Sequence, residues 1–223
     1  MATYIRDFNP YSNEMEHLIG GLKKTPGTCI FVDIINSTSD KYESLPQSWI
    51  RKINNTFNFI LFLNDFPDYV VKGIGDEIML YLPDAAMQNH FAFENSFMLL
   101  QEIYSTLENL KNHPRKDMFY ECKVGIHYCQ DVYNITFFEG VNDYYGTDID
   151  LAARLMKKAA SDKIIINEAF YQKVMESLKL TGINPGDTFV NNISESLKDN
   201  FKGVPYPVPF REISIKSDDE LHH

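Results

Sequence analysis

The sequence has little positive charge, with 21 Lys and Arg residues against 31 Asp and Glu residues and a formal net charge of −10. No basic stretch stands out against this deficit. Proteins that bind the nucleic-acid backbone depend on clustered Lys and Arg side chains. We therefore expect no nucleic-acid partner.

Long apolar runs are also missing, because the longest apolar stretches are too short to span a bilayer. Met1–Pro10 carries charges and lacks the apolar segment of a signal peptide. The three cysteines, Cys29, Cys122 and Cys129, have no metal-binding spacing and form no disulfide framework. Together these features predict a cytoplasmic protein with reduced, buried thiols and no membrane partner.

The 223 residues are 44% hydrophobic, which is enough for the core of one large domain. Apolar periodicity predicts long helices over 45–63 and 85–110 and a strand over 130–138. The order of strands, hairpins and helices favours an α+β fold with a sheet flanked by helices. We divide the chain into an N-terminal extension (1–26), a single domain (27–215) and a C-terminal tail (216–223).

Two aspartates, Asp33 and Asp76, lie within or at the end of apolar, β-branched runs. A carboxylate is costly to bury there unless its charge is compensated. A divalent cation is a simple compensator, and carboxylate oxygens suit Mg²⁺ or Mn²⁺. The alternative is that either residue is an ordinary turn or cap residue.

The neighbours of the two aspartates favour the metal hypothesis. The small polar residues Asn36, Ser37 and Thr38 can open a helix and leave backbone N–H groups for an anion. Gly73 and Gly75 suit a tight hairpin that would carry Asp76 at its tip. The two acids can therefore face each other.

A third segment of interest carries Asp150 and Arg154, which are four residues apart and fall on one helix face. A surface salt bridge within the helix is one interpretation. However, Arg154 lies among alanines and large apolar residues, which indicates partial burial. A partly buried Arg can donate two hydrogen bonds to phosphate oxygens.

Five segments together resemble the class III nucleotidyl cyclases, the family of adenylate and guanylate cyclase catalytic domains. The segments that carry this resemblance are Phe31–Thr38, Lys72–Asp76, Gly125–His127, Gly146–Arg154 and Phe201–Val204. They occur in the family's order and cover about residues 27 to 215. The resemblance implies the cyclase fold, with a mainly antiparallel central sheet flanked by helices, and a head-to-tail homodimer with sites at the interface.

The resemblance also implies roles for the site residues. Asp33 and Asp76 would hold two Mn²⁺ or Mg²⁺ ions, with the backbone carbonyl of Ile34 as a further ligand. Arg154 would stabilise charge on the α-phosphate, and Lys202 would bind the terminal phosphates. The β- and γ-phosphates would be held by the free backbone N–H groups of Ile35, Asn36, Ser37 and Thr38.

Three positions depart from the family pattern. Asp150 stands where the family usually has the Asn that orients the ribose, Cys129 replaces a glycine, and Ser37 replaces a frequent Phe. None of these changes removes a metal ligand, so the resemblance implies an active enzyme.

The base-reading positions are Lys72 and Asp143, which match the pair that reads adenine in adenylate cyclases. A Lys donor and a carboxylate acceptor suit adenine, cytosine or uracil better than guanine.

The compact chain is similar to the pyrimidine cyclases of bacterial anti-phage signalling, the Pycsar family. This resemblance favours conversion of UTP, or of CTP, to a 3′,5′-cyclic nucleotide and pyrophosphate. An adenylate cyclase that makes cyclic AMP is the alternative, and an inactive nucleotide-binding module is the second. A phosphodiesterase or phosphatase is disfavoured because no His/Asp cluster accompanies the aspartates; His113 and His127 are isolated.

Overall fold

The computed structural model describes residues 1–6, 13–62, 66–87 and 95–216. The predicted tail, 216–223, lies outside the described residues apart from Lys216. The strands are β1 (Thr3–Tyr4), β2 (Gly27–Ile34), β3 (Val70–Ile74), β4 (Glu77–Pro83), β5 (Cys122–Cys129), β6 (Ile135–Thr136), β7 (Lys163–Asn167), β8 (Leu197–Asp199) and β9 (Val208–Ser214). The α-helices are α1 (Asn13–Gly20), α2 (Ser37–Glu43), α3 (Pro46–Phe62), α4 (Asp84–Met87), α5 (Ser96–Lys111), α6 (Thr147–Met156) and α7 (Glu168–Thr181).

Seven strands form the central sheet in the order β3-β4-β2-β5-β7-β9-β8. Strands β5 and β7 pair in parallel, whereas the other neighbours are antiparallel. The sheet is therefore mixed, which corrects the expectation of a mainly antiparallel sheet. The parallel pair arises because helix α6 forms the crossover between β5 and β7.

Strand β2 runs through the middle of the sheet and is buried on both faces, as its apolar run predicts. On one face, Ile30 and Val32 pack in a core cluster with residues of α5 and α7. On the other face, Phe31 packs with residues of β4 and α6. Gly125 allows α6 to approach β5, since an added Cβ would lie 2.6 Å from the Cβ of Met156.

The predicted secondary structure is confirmed in part. Helix α3 confirms the helix expected over 45–63. The helix expected over 85–110 corresponds to α4 and α5, and residues 88–94 between them lie outside the described part of the chain. The strand expected over 130–138 is reduced to β6, which pairs with β1 outside the main sheet. Strand β6 forms a separate ladder because β5 already pairs with β2 on one side and with β7 on the other, which leaves β5 no free edge.

The three cysteines are buried and free, as the sequence predicts. Within the described ranges, no helix combines the length and apolar character required to cross a bilayer.

Candidate functional site

The two aspartates of the predicted metal site lie at one end of the central sheet. Asp33 is the seventh residue of β2, and Asp76 lies in the turn between β3 and β4. The backbone N–H of Ile34 donates to the carbonyl oxygen of Asp76 at 3.2 Å. This bond holds the turn against the end of β2. Gly75 permits the turn, because its φ of 68° is in the left-handed region.

Two charged side chains that the sequence did not bring forward flank Asp33. Glu77 of β4 and Lys123 of β5 lie directly opposite Asp33 in the two strand pairs. The ammonium of Lys123 is 3.0 Å from Oδ2 of Asp33. Burial raises the pKa of Glu77, and the negative charge of Asp33 raises it further. The sequence did offer a signal for Lys123: it lies two residues before Gly125 of the Gly125–His127 motif, so both residues fall on the same face of the strand.

The loop after β2 places Ser37 beside Asp76. The hydroxyl of Ser37, the first residue of α2, donates to Oδ2 of Asp76. Asn36 precedes it with a left-handed φ of 61°. The prediction that the backbone N–H groups of residues 35–38 are free is wrong for Ile35, whose N–H donates to the carbonyl oxygen of Glu121 at 2.9 Å. The cause is that Ile35 continues the pairing of β2 with the chain that enters β5.

The remaining members of this group are Asn36, Ser37 and Thr38. Ser37 and Thr38 belong to the first turn of α2, where N–H groups have no acceptor within the helix. These three positions stay a prediction for phosphate binding.

The donor set fits a hard divalent cation. Carboxylate oxygens are the ligands that Mg²⁺ and Mn²⁺ prefer, and Mg²⁺ is commonly held by one or two carboxylates together with waters and substrate phosphates. The recorded contacts of Asp33 and Asp76 each engage Oδ2. In the described ranges, no group of three or more His, Cys, Asp or Glu residues could hold a metal ion. The pair of aspartates would thus need phosphate or water oxygens to complete the coordination.

The predicted base-reading residues contact each other. The ammonium of Lys72 lies 2.9 Å from Oδ1 and 2.8 Å from Oδ2 of Asp143. The side chain of Asp143 is 8% exposed and that of Lys72 is 35% exposed. Oδ1 of Asp143 also accepts the N–H of Tyr144 at 2.8 Å, and Lys72 lies 5.5 Å from the ring centroid of Tyr145. A buried carboxylate is thereby paired with a partly exposed cation beside an aromatic ring.

Helix α6 carries Asp150 and Arg154. The guanidinium of Arg154 donates to the carbonyl oxygen of Lys202, so the structure brings these two predicted phosphate-binding residues together. Asp150 is exposed, and the ion pairs recorded among the described residues include none between Asp150 and Arg154. The interpretation of a surface salt bridge within the helix is thus not supported.

Asp148 fixes the start of α6, a role that the sequence did not reveal. Its Oδ2 accepts the N–H groups of Gln130 at 2.7 Å and Asp131 at 2.8 Å. Gly146 precedes the helix where an added Cβ would lie 1.9 Å from the carbonyl oxygen of Asp131. Only glycine allows the helix to begin this close to the loop.

His127 lies on β5 beneath this helix and is buried. Its Nε2 is 3.9 Å from Oδ1 of Asp148, and its Nδ1 has no hydrogen-bond partner among the described residues. Burial lowers the pKa of His127 to about 4, and the charge of Asp148 opposes this shift. The histidine is therefore neutral at physiological pH and suits a structural role.

The pKa of His127 predicts a loss of stability in mild acid. The folded state binds this proton more weakly than the unfolded state, so the stabilisation is complete above about pH 6.5 and is lost as the pH falls towards about 4. Between pH 7 and pH 5 the free energy of unfolding should fall by about 2 kcal/mol through this residue. Urea unfolding at both pH values should show that the free energy of unfolding falls by about 2 kcal/mol less in His127→Gln than in the wild type. Equal losses in the two proteins would contradict the assignment.

Comparisons with known proteins identify the family of the chain. The family described as adenylate and guanylate cyclase catalytic domain matches residues 23–195. A search of curated proteins gave no match.

Several solved structures share the fold. The adenylyl cyclase CyaB from P. aeruginosa superposes with a TM-score of 0.64 at 17% identity, over 88% of this chain and 97% of that one. An adenylate cyclase from Trypanosoma brucei in its monomeric state has a TM-score of 0.61 at 18% identity, over 86% and 90%. The guanylate cyclase domain of RhGC from Catenaria anguillulae in complex with GTP has a TM-score of 0.62 at 14% identity, over 87% and 100%.

The family match spans most of the chain and includes the two aspartates, the predicted base-reading residues and Arg154. The likeness of the structures extends over 87–88% of this chain. The chain belongs to the adenylate and guanylate cyclase catalytic domain family, a family of nucleotidyl cyclases.

Proposed function

We propose that this protein converts a pyrimidine nucleoside triphosphate, UTP in preference to CTP, to the 3′,5′-cyclic nucleotide and pyrophosphate. The observation that carries the proposal is the ion pair of Lys72 with the buried Asp143, and the resemblance to the pyrimidine cyclases favours UTP over ATP. Its product would act as a second messenger in bacterial anti-phage defence, and the protein would work in the cytoplasm.

The chemistry of the pair supports a uracil ring. Asp143 can accept the N3–H of uracil while Lys72 donates to an adjacent carbonyl oxygen. Guanine also presents a donor, N1–H, beside a carbonyl acceptor, O6, so GTP is one of the four nucleotides that the test compares. Tyr145 lies against Lys72, and its ring is in edge contact with Phe137 at 5.1 Å.

The second candidate is an adenylate cyclase. Asp143 can also accept the 6-amino group of adenine while Lys72 donates to N1. The observation that favours it is the same ion pair, because both bases present a donor next to an acceptor. The inactive nucleotide-binding module is disfavoured by the intact pair of Asp33 and Asp76 at the end of the sheet.

For catalysis, Asp33, Asp76 and the carbonyl of Ile34 would hold two ions, either Mn²⁺ or Mg²⁺. These ions would activate the ribose 3′-hydroxyl and neutralise the triphosphate. Lys123 adds a positive charge next to Asp33 in a site whose carboxylates otherwise repel the substrate. Ser37 positions the carboxylate of Asp76 through its hydroxyl.

The remaining groups act on the phosphates and the sugar. Arg154 would stabilise the negative charge that develops on the α-phosphate, and Lys202 would bind the terminal phosphates. The N–H groups of residues 36–38 would receive the β- and γ-phosphate oxygens. Asp150, exposed on α6, would accept a hydrogen bond from a ribose hydroxyl.

We further propose that the active form is a head-to-tail homodimer, in which the metal-binding half of one chain faces the base-reading half of its partner. Three apolar side chains between β6 and α6 support an interface: Phe137, Phe138 and Val141 are 49%, 65% and 45% exposed. Such clusters on a surface mark interaction sites. The Trypanosoma brucei structure is in a monomeric state, so assembly of this chain needs its own test.

The proposed function is tested by incubating the purified protein with Mn²⁺ and each of ATP, GTP, CTP and UTP, with products identified by mass spectrometry. We expect cyclic UMP, with cyclic CMP as the weaker product. Cyclic AMP alone would assign Lys72 and Asp143 to adenine recognition. The absence of any cyclic product, with nucleotide binding retained in calorimetry, would establish the inactive module.

A further inference from the structure

The N-terminal residues reach the segment that carries the base-reading aspartate. Strand β1 pairs in parallel with β6. The N–H of Thr3 donates to the carbonyl oxygen of Asn134 at 2.9 Å, and the N–H of Ile5 donates to the carbonyl oxygen of Thr136 at 2.7 Å. The backbone of Asn134 is thereby tied to the start of the chain.

The side chain of Asn134 reaches in the other direction. Its Nδ2 donates to the carbonyl oxygen of Asp143 at 3.0 Å and to Oδ1 of Asn142 at 3.1 Å. The backbone carbonyl of Asn134 therefore accepts a hydrogen bond from β1, while its side-chain amide donates one to the backbone of Asp143.

Other contacts fix the residues that follow Asp143. The N–H of Tyr133 donates to the carbonyl oxygen of Tyr145 at 2.8 Å, and the reverse bond is 3.0 Å. The ring of Tyr144 stacks on Tyr81 with centroids 4.0 Å apart. The described residues just before Asp143 take part in no such ladder. Their contacts include the N–H of Val141, which donates to the carbonyl oxygen of Phe138 at 3.2 Å, and the Asn134 amide, which contacts Asn142.

We propose that Asn134 is a positioning residue for Asp143 and that strand β1 holds Asn134 in place. The N-terminal extension then contributes to base recognition, although it lies outside the segment that carries the cyclase motifs. This inference rests on the proposed function, in which Asp143 reads the base.

The physical reason is the cost of a misplaced carboxylate. Asp143 is buried and depends on Lys72 for charge compensation, so a small displacement of its backbone alters the ion pair and the acceptor offered to the base. Displacements on the order of 1 Å in a group that positions the substrate weaken binding and catalysis. Asn134 limits that displacement on one side of Asp143.

Two variants test the two steps separately. Asn134→Asp keeps the size of the side chain and removes the Nδ2 donor. Thr3→Pro removes the N–H that donates to Asn134 and leaves Asn134 itself unchanged. Tyr4→Pro is the matched control, because alternation along a parallel ladder directs the Tyr4 N–H away from β6.

The readouts are the KM for the preferred nucleotide, kcat, and amide hydrogen exchange of residues 142–145 in the free protein. We expect KM to rise about three- to tenfold in Asn134→Asp, the effect of losing the hydrogen bond to the Asp143 carbonyl oxygen, with kcat within about twofold. Thr3→Pro should also raise KM. Amide hydrogen exchange of residues 142–145 should accelerate in both variants but not in Tyr4→Pro.

Unchanged exchange in Asn134→Asp would overturn the positioning role, and so would faster exchange with an unchanged KM. If the wild-type chain forms no cyclic product, the proposed function fails. The dissociation constant of the nucleotide from calorimetry then replaces KM, and exchange together with affinity still decides whether Asn134 positions Asp143.

Discussion

Replacement of Asp76 with alanine should abolish nucleotide turnover while the protein stays folded. Asp76 lies in the hairpin turn that is tied to the end of β2, and it is one of two carboxylates that fit a divalent cation there. Loss of several kcal/mol of charge stabilisation in the transition state corresponds to a decrease in kcat on the order of 10³-fold or more. The measurement is product formation with Mn²⁺ by mass spectrometry.

Three comparisons make this experiment specific. Asp76→Asn retains an acceptor for the Ser37 hydroxyl and should be nearly as inactive as the alanine variant, because it lacks the charge that binds the metal. Asp187→Ala, at an exposed position outside the site, should keep full turnover. Calorimetric titration should show weakened Mn²⁺ binding in Asp76→Asn. Wild-type turnover in either Asp76 variant would refute the metal assignment.

Replacement of Arg154 with alanine should give the second-largest loss. Its guanidinium lies in the last turn of α6 and donates to the backbone carbonyl oxygen of Lys202, which ties the helix to the segment that carries this predicted phosphate-binding residue. A donor that stabilises charge mainly in the transition state contributes about 10²- to 10³-fold to kcat and little to KM. Steady-state kinetics with the preferred nucleotide measures this split.

The matched control is Arg115→Ala. Arg115 forms an exposed ion pair with Asp117, and such pairs contribute little to stability. Its removal should leave kcat and KM unchanged. A large rise in KM with an unchanged kcat in Arg154→Ala would instead assign Arg154 to ground-state binding and contradict its role at the α-phosphate.

Local sequence patterns predicted much of the frame. The apolar run of β2 and the amphipathic spacing of α3 gave correct elements because burial in a central strand or on one helix face leaves a clear periodicity. Motifs at turns also placed Asp33 and Asp76 at one end of the sheet, since the strand end and the hairpin tip are fixed by local geometry.

The sequence did not predict features that depend on pairing between distant segments. The parallel pair of β5 and β7 requires knowledge of the crossover, and Lys123 becomes a neighbour of Asp33 only through strand register. The N–H of Ile35 donates to the carbonyl oxygen of Glu121, which lies 86 residues further along the chain. No local pattern reveals such contacts, because each is set by tertiary structure.

The site proposed here is built from two copies of the chain, and its most direct test is complementation. Asp76→Ala and Arg154→Ala are co-expressed with different affinity tags, and the mixed dimer is isolated through both tags. In the proposed head-to-tail dimer, Asp76 belongs to the metal-binding half and Arg154 to the base-reading half. One of the two sites in the mixed dimer then contains both defects and the other is intact. The account predicts about half of the wild-type turnover in the mixed dimer, although each parent retains about 1% of it or less. A mixed dimer without turnover, or no mixed dimer at all, would contradict a catalytic site shared between two subunits.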